Sequence, residues 1–225
     1  MNSQMQTGST QQRARIATAF ALKIFLLAGC ASSSAMEPPA ALAKVPVLRT
    51  EPIIDGQITP DEWKGALHLD AGDGTGLLVG SAGNKLFLAV RRRPGSADYV
   101  DLFVTDGSEI VRNYHASFRL GYRLLAGDSW TDREPPTNWA EQLGWTANVV
   151  RMNGAAPSSA GLLGSVLPYD GFEFAIDRDT FASPDISMRI EVRNFEGELT
   201  DTVLPVGAER FGLESWLKLE LNNAK

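Results

Sequence analysis

Strict alternation of apolar and polar residues recurs along this chain, and it constrains the fold most, because residues i, i+2 and i+4 share one face only in an extended strand. In KLFLAVR (85–91), Leu86, Leu88 and Val90 fall on one side. DYVDLFVT (98–105) sets Val100, Leu102 and Val104 against Tyr99, Asp101 and Phe103. SFRLGYRL (117–124) alternates Phe118, Leu120, Tyr122 and Leu124 with Ser117, Arg119, Gly121 and Arg123. GFEFAI (171–176), SMRIEVRNF (187–195) and WLKLEL (216–221) repeat the pattern. Gly, Pro, Asn or Asp bound these short runs, as expected of half-buried antiparallel strands. No long apolar stripe of helical period competes with them. The pattern predicts an all-β fold, an antiparallel two-sheet β-sandwich of roughly eight to ten strands.

The first 29 residues stand outside this pattern. Arg13 and Arg15 precede the apolar segment IATAFALKIFLLAG, which is broken by Lys23 and ends at Cys30, the single cysteine of the 225 residues. A charged stretch, a short apolar stretch and small residues before a cut describe a secretory signal peptide over 1–29, too short and too broken to span a membrane. Leu27-Ala28-Gly29-Cys30 resembles the lipobox of bacterial lipoproteins. That resemblance implies lipidation of the Cys30 thiol and cleavage just before it, with more than one acyl chain, which is what makes anchoring stable. Ala31 and Ser32 stand where an Asp would retain an enterobacterial lipoprotein in the inner membrane. The expected address is therefore the cell envelope, with the outer membrane favoured where the organism has one. Residues 30–45 are small, polar and proline-bearing and read as a flexible tether, leaving 46–225 as the folded domain. Removing 1–29 takes away Arg13, Arg15 and Lys23 and no acid, which moves the formal charge from −6 to −9. An acidic body of this kind is a poor partner for nucleic acid.

IIDGQITPDEWKGA (53–66) departs from the alternation. Asp55-Gly56 provides a turn out of an extended segment at Pro52–Ile54. Thr59 then Pro60, Asp61 and Glu62 read as a short helical turn over 59–66, with Thr59 capping it, Pro60 in its first position and Glu62 closing a capping box. Ile58 and Trp63 are placed for a hydrophobic staple, with Trp63 and Ala66 on one side. Each residue has a local structural role, so the stretch reads as scaffold.

The same stretch carries a resemblance. Ile54-Asp55-Gly56 with Glu62-Trp63 and Ala66 is similar to the opening motif of family 9 carbohydrate-binding-module-like domains, which are related to DOMON domains. Leu86 to Val90, Asp98 to Phe103, Gly171 to Ile176 with Asp177 to Phe181, and Trp216 to Leu221 follow in the family's order. The resemblance implies an antiparallel β-sandwich, a non-catalytic saccharide-binding role, and in some members structural calcium. DOMON relatives bind haem, typically with a methionine ligand.

These motifs make the fold and do not touch sugar, so the site is sought separately. SWTDREPPTNWAEQLGW (129–145) holds three of the five tryptophans. Trp130 and Trp139 beside Asp132, Arg133, Asn138 and Glu141 offer flat apolar faces and hydrogen-bonding groups of the kind a pyranose needs. Trp145, at the head of GWTANVV, is expected to point into the core. Asp70 and Asp73 in LDAGDGTG read as calcium oxygens or as turn residues. Met152 or Met188 with His68 or His115 is the pairing a haem site would draw on. His68 and His115 are too few and too far apart in sequence for a zinc site or a triad, and Arg91, Arg92 and Arg93 read as a solvated strand end. No phosphate loop or nucleophile elbow is present, and a non-catalytic domain is expected. The alternatives left open are a glycoside hydrolase using two carboxylates and a protein-contact module of an envelope assembly.

Overall fold

Two β-sheets enclose an apolar core contributed by both. The computed structural model describes residues 42–93, 96, 98–126, 129–130, 144–154, 164–194 and 201–222, all within the unit Pro38–Lys225. The strands are β1 (Ala43–Lys44), β2 (Leu67–Asp70), β3 (Gly76–Ala82), β4 (Lys85–Arg91), β5 (Asp98–Thr105), β6 (Ile110–Ala116), β7 (Leu120–Ala126), β8 (Ser129–Trp130), β9 (Trp145–Ala147), β10 (Met152–Gly154), β11 (Gly164–Val166), β12 (Gly171–Asp177), β13 (Asp185–Asn194), β14 (Thr202–Leu204) and β15 (Leu217–Glu220). One sheet has eight strands in the order β1-β15-β13-β5-β6-β7-β8, with β14 also on β13; the other has five in the order β2-β3-β4-β12-β9. β10 and β11 pair separately. Among these ladders only β1 with β15 is parallel.

The alternation read from the sequence is what fills the space between the sheets. Val100, Leu102 and Val104 of β5 and Met188, Ile190 and Val192 of β13 meet Leu86, Leu88 and Val90 of β4 and Phe172, Phe174 and Ile176 of β12, all buried. Trp145 is buried in the same core, its ring 5.2 Å edge-on from that of Tyr114. Where alternation fails, a second cover explains it. Every residue of β3 is buried, because Leu77 and Val79 face the inter-sheet core while Leu78 and Ala82 face a second apolar layer. That layer is the segment 48–66, which lays Leu48, Ile58 and Trp63 on the outer face of the five-stranded sheet against Phe87, Ala89 and Ala175. Gly80 permits this close approach, since a Cβ there would lie 2.5 Å from Leu48.

A buried carboxylate fastens the segment down. Glu173, on the outer face of β12, accepts hydrogen bonds from the backbone N–H of Gly56 (2.8 Å) and Asp55 (3.1 Å) and from Trp63 Nε1 (3.0 Å). Gly56 has φ of 87°, and a Cβ there would lie 2.7 Å from Asn148 Nδ2, so the turn demands glycine. Asp55 Oδ1 accepts from Gln57 N at 2.8 Å, completing the Asp-Gly turn. Burial pushes the Glu173 carboxyl up to about 7, against the pull of its three donors toward the charged form.

Several local expectations need correction. Residues 60–65 form a hydrogen-bonded turn with one helical bond, from Trp63 N to Thr59 O at 3.3 Å. The capping box is not made: Thr59 Oγ1 donates to Glu62 Oε2 and Glu62 Oε1 accepts from Ile53 N, so Glu62 ties the turn to the residues before it. The Ile58–Trp63 staple is made, with both side chains buried. Pro52–Ile54 joins no ladder, and Asp55 N donates back to Ile53 O at 3.1 Å. Ser117–Arg119 is the β6–β7 turn, so that strand starts at Leu120. The sheet begins at Ala43, inside the segment read as tether, and Val45 is wholly buried. Only Arg91 of the arginine run is solvated: Arg92 stacks 4.4 Å above the Tyr169 ring, and Arg93 is buried beside Asp98.

Trp145→Ala and Trp63→Ala should each cost about 3–5 kcal/mol, as other buried aromatics do when truncated, read as a loss in denaturant midpoint at unchanged slope; a parent-like midpoint for either contradicts its buried position. For Glu173, the folded value of about 7 lies above the ordinary 4.5. Its contribution to stability is therefore full below the ordinary value and lost as pH rises through the folded one. Melting between pH 5 and 8.5 should show a smaller difference for Glu173→Gln than for the parent; an equal difference would remove Glu173 as its source.

Candidate ligand-binding face

Among the described residues, the outer face of the eight-stranded sheet is covered only in part. The chain after β14 folds back over it, placing Ala208 and Trp216 on Phe103, with Val111, Val203 and Trp130 at the margin. Trp216 Nε1 donates to Glu209 O at 2.8 Å, which fixes that flap. Beside it the strands present a polar floor under an open cleft of about 560 Å³, lined by Tyr99, Asp101, His115, Arg123, Arg193, Asn194 and Arg210.

Strand register builds this floor. Antiparallel pairing sets Asp101 opposite His115 and Glu191, Phe103 opposite Asn113 and Arg189, Asn113 opposite Arg123, and Tyr99 opposite Arg193. Side chains opposite one another on one face lie within reach. Asp101 Oδ1 meets His115 Nδ1 at 3.0 Å and accepts from Asn113 Nδ2 at 3.2 Å. Asn113 Oδ1 in turn accepts from Arg123 Nε at 2.8 Å. The Arg123 guanidinium lies 4.3 Å above the Trp130 ring, whose edge meets Phe103. The Tyr99 and His115 rings lie 5.6 Å apart.

His115 Nε2 lies 3.0 Å from Ser117 Oγ, which makes an Asp101–His115–Ser117 line. Ser117 Oγ also accepts from Arg119 N (3.1 Å) and lies 2.9 Å from Arg119 O as a donor. The hydroxyl is a buried part of the β6–β7 turn, and the line braces the imidazole.

Glu191 is the electrostatic anchor of the other half. It is buried, and its carboxylate pairs with Arg189, Arg193 and Arg210, the last at 3.3 Å. Burial opposes its charge, but the Arg189 and Arg193 hydrogen bonds prevail and hold the carboxyl below its ordinary range. Arg189 is buried and also donates to Ala208 O at 3.0 Å, whereas the Arg193 and Arg210 side chains are 30% and 47% exposed. One carboxylate thus orients three guanidinium groups, two of which reach the cleft.

Of the residues singled out in the sequence, the structure places Trp130 at the margin of this face, half-buried between Phe103 and Arg123. Trp139, Asp132, Arg133, Asn138, Glu141 and Cys30 lie outside the described residues. Asp70 and Asp73 build their own turn, Asp70 Oδ1 accepting from Gly72 N and Asp73 Oδ1 from Thr75 N, while Asp73 Oδ2 accepts from Thr202 Oγ1. Among the described residues no cluster of three or more His, Cys, Asp or Glu is placed to hold a metal ion. Met188 is shut in the inter-sheet core, while His115 lies on the opposite face of the same sheet and His68 is exposed on β2. Neither histidine is placed to share a haem with Met188. The side chain of Met152 lies outside the described residues.

The floor residues escaped the sequence reading, although two signals were there. RIEVR puts Arg189, Glu191 and Arg193 on one face, and Tyr99, Asp101 and Phe103 form an aromatic-acidic mixture unlike an ordinary solvated strand. His115 and Asp101 are 14 residues apart, and only the β5–β6 register joins them.

No protein-family profile and no curated protein matches the chain. A crystal structure from Bacteroides uniformis, described as that of a "putative carbohydrate-binding protein", is similar with a TM-score of 0.46 and 14% identity over 80% of this chain and 97% of that one. At that level the likeness carries no argument, and the case for a site rests on geometry.

Glu191→Gln should destabilise the protein by about 3–5 kcal/mol near pH 7, the cost of breaking a buried ion pair on one side. A carboxyl held below its ordinary 4.5 contributes above that value and loses its contribution as pH falls through the lower folded value. The gap between parent and variant in urea midpoint should therefore close toward acid pH; a gap that widens there would contradict the pairing.

Proposed function

We propose that the protein is a non-catalytic binding domain, lipid-anchored in the bacterial cell envelope through Cys30, that holds a saccharide on the outer face of its eight-stranded sheet. The observation that carries this reading is the floor itself. Tyr99, Asp101, His115 and Arg123 line an open cleft and are held by one another and by the buried Asn113, not left to solvent. Side chains already fixed in place lose little freedom when a ligand arrives. A hydroxyl-rich ring needs such fixed polar groups, with aromatic edges to set its orientation. The cleft volume is ordinary for a small-ligand site. The commitment of Ser117 to its turn favours binding over acyl transfer. The anchor rests on the lipobox residues and the outer-membrane address on Ala31 and Ser32. Calcium is not needed for this reading.

A protein contact is the second reading. It is favoured by Val206 and Phe211, exposed at 72% and 74% on the flap that carries Arg210.

Calorimetric titration of the detergent-solubilised lipoprotein with neutral and acidic oligosaccharides tests the binding claim. At least one class should bind, and Arg123→Ala should weaken it tenfold or more without lowering the melting temperature by more than a few degrees. Absence of heat with every saccharide, together with binding of an envelope protein that Phe211→Ser abolishes, would replace this reading with the second. Cys30→Ser should abolish partitioning into the detergent phase; partitioning that survives would sink the anchor.

A further inference from the structure

The polar groups of the cleft are unbalanced. Arg193 and Arg210 on one side and Arg123 on the other bring three guanidinium groups to it, and Asn194 adds an amide. Among the described residues lining it Asp101 is the one acid, and its Oδ1 is already engaged by His115 and Asn113. Guanidinium groups donate hydrogen bonds and accept none. Glu191 and Asp201 lie against Arg193, but Glu191 is itself shared among three arginines, and Asp201 is exposed and 3.7 Å away. This clustering does not follow from composition, since the chain as a whole carries a formal charge of −6.

A neutral sugar presents hydroxyls that both donate and accept, and a donor-rich cleft would leave many of those hydroxyl protons without an acceptor. The complementary ligand is rich in acceptors and anionic. Arginine favours a planar, two-oxygen partner, because its fork matches a carboxylate with two parallel N–H···O bonds. Glu191 does not satisfy that fork at Arg193, since its Oε2 alone accepts from both Nε and Nη2.

We infer that the face selects carboxylate-bearing saccharides, that is, uronic-acid-containing glycans, with Arg210, Arg193 and Arg123 as the groups that read the carboxylates. The inference rests on the saccharide reading of this face and adds the class of sugar. Arg210 is the specificity residue most open to the ligand, 47% exposed and tied only at its Nη2 end to Glu191 among the described contacts.

The test is calorimetric titration of the detergent-solubilised lipoprotein with short oligomers of galacturonate, guluronate, mannuronate and glucuronate. The same oligomers as methyl esters, neutral oligosaccharides and sulfated oligosaccharides serve as comparisons. At least one uronate should bind, and its methyl ester should bind at least tenfold more weakly. Raising salt from about 0.05 to 0.5 M should weaken the acid markedly and the ester little, because screening acts on charge. Arg210→Gln should lower uronate affinity about tenfold or more at an unchanged melting temperature, and Arg210→Lys should recover part of it. An ester that binds as tightly as its acid, a preference for sulfated over carboxylated oligomers, or Arg210→Gln with parent affinity would each overturn the inference. If neutral oligosaccharides bind and uronates do not, the saccharide reading survives and the uronate inference falls. If no saccharide of any charge binds, both fall.

Discussion

The carboxylate of Glu173 is the interaction on which the arrangement of this protein depends. It sits on the outer face of a sheet, where alternation would otherwise put a solvated side chain, and it is completely buried. Its three donors all come from the segment 55–63, and Asp170 adds to the hold, its Oδ2 accepting from Ile58 N and its N–H donating to Gly56 O. An unpaired buried acceptor costs several kcal/mol, of order 1–3 for a neutral group and more for a charged one, so segment and sheet are each unfavourable without the other. Leu48, Ile58 and Trp63 are thereby brought onto Phe87 and Ala89, and the outer face of the five-stranded sheet is closed.

Among the described residues, closing that face leaves the outer face of the eight-stranded sheet as the broad polar surface. There the Trp216 flap covers Phe103 and stops short of Asp101 and His115. The two faces use buried carboxylates in opposite ways. Among the described residues Glu173 is met by N–H groups and no cation, so burial drives it toward neutrality; Glu191 is met by guanidinium groups that overcome the same penalty and keep it charged. The first seals an interface. The second holds cations in place at an opening, which is the preorganisation that a binding surface needs.

β15 was legible in the sequence because a single cover imposes a single period, while β4 and β5 match their predicted runs residue for residue although part of each is covered on both faces. Where two covers act along the whole strand, as on β3, no period survives to be read. Turn chemistry was legible at Asp55-Gly56, whereas the capping box was not made because Thr59 N donates to Gln57 O and Glu62 accepts from Ile53 N instead. The scaffold role of Trp63 was visible from its neighbours in sequence, but its partner, Glu173, is 110 residues away. The polar floor was invisible for the same reason. Asp101, His115 and Arg123 acquire meaning only once β5, β6 and β7 are in register, and tryptophans drew attention instead because their type is conspicuous without any register at all.

Hydrogen–deuterium exchange of the lipoprotein with and without a saturating oligouronate tests most directly which face is functional. The account predicts added protection at Tyr99–Asp101, Asn113–Arg123 and Glu191–Asn194, with the amides of residues 53–66 unchanged because that segment is already sealed against its sheet. Protection concentrated at residues 53–66, with β5 to β7 and β13 exchanging as in the free protein, would contradict it.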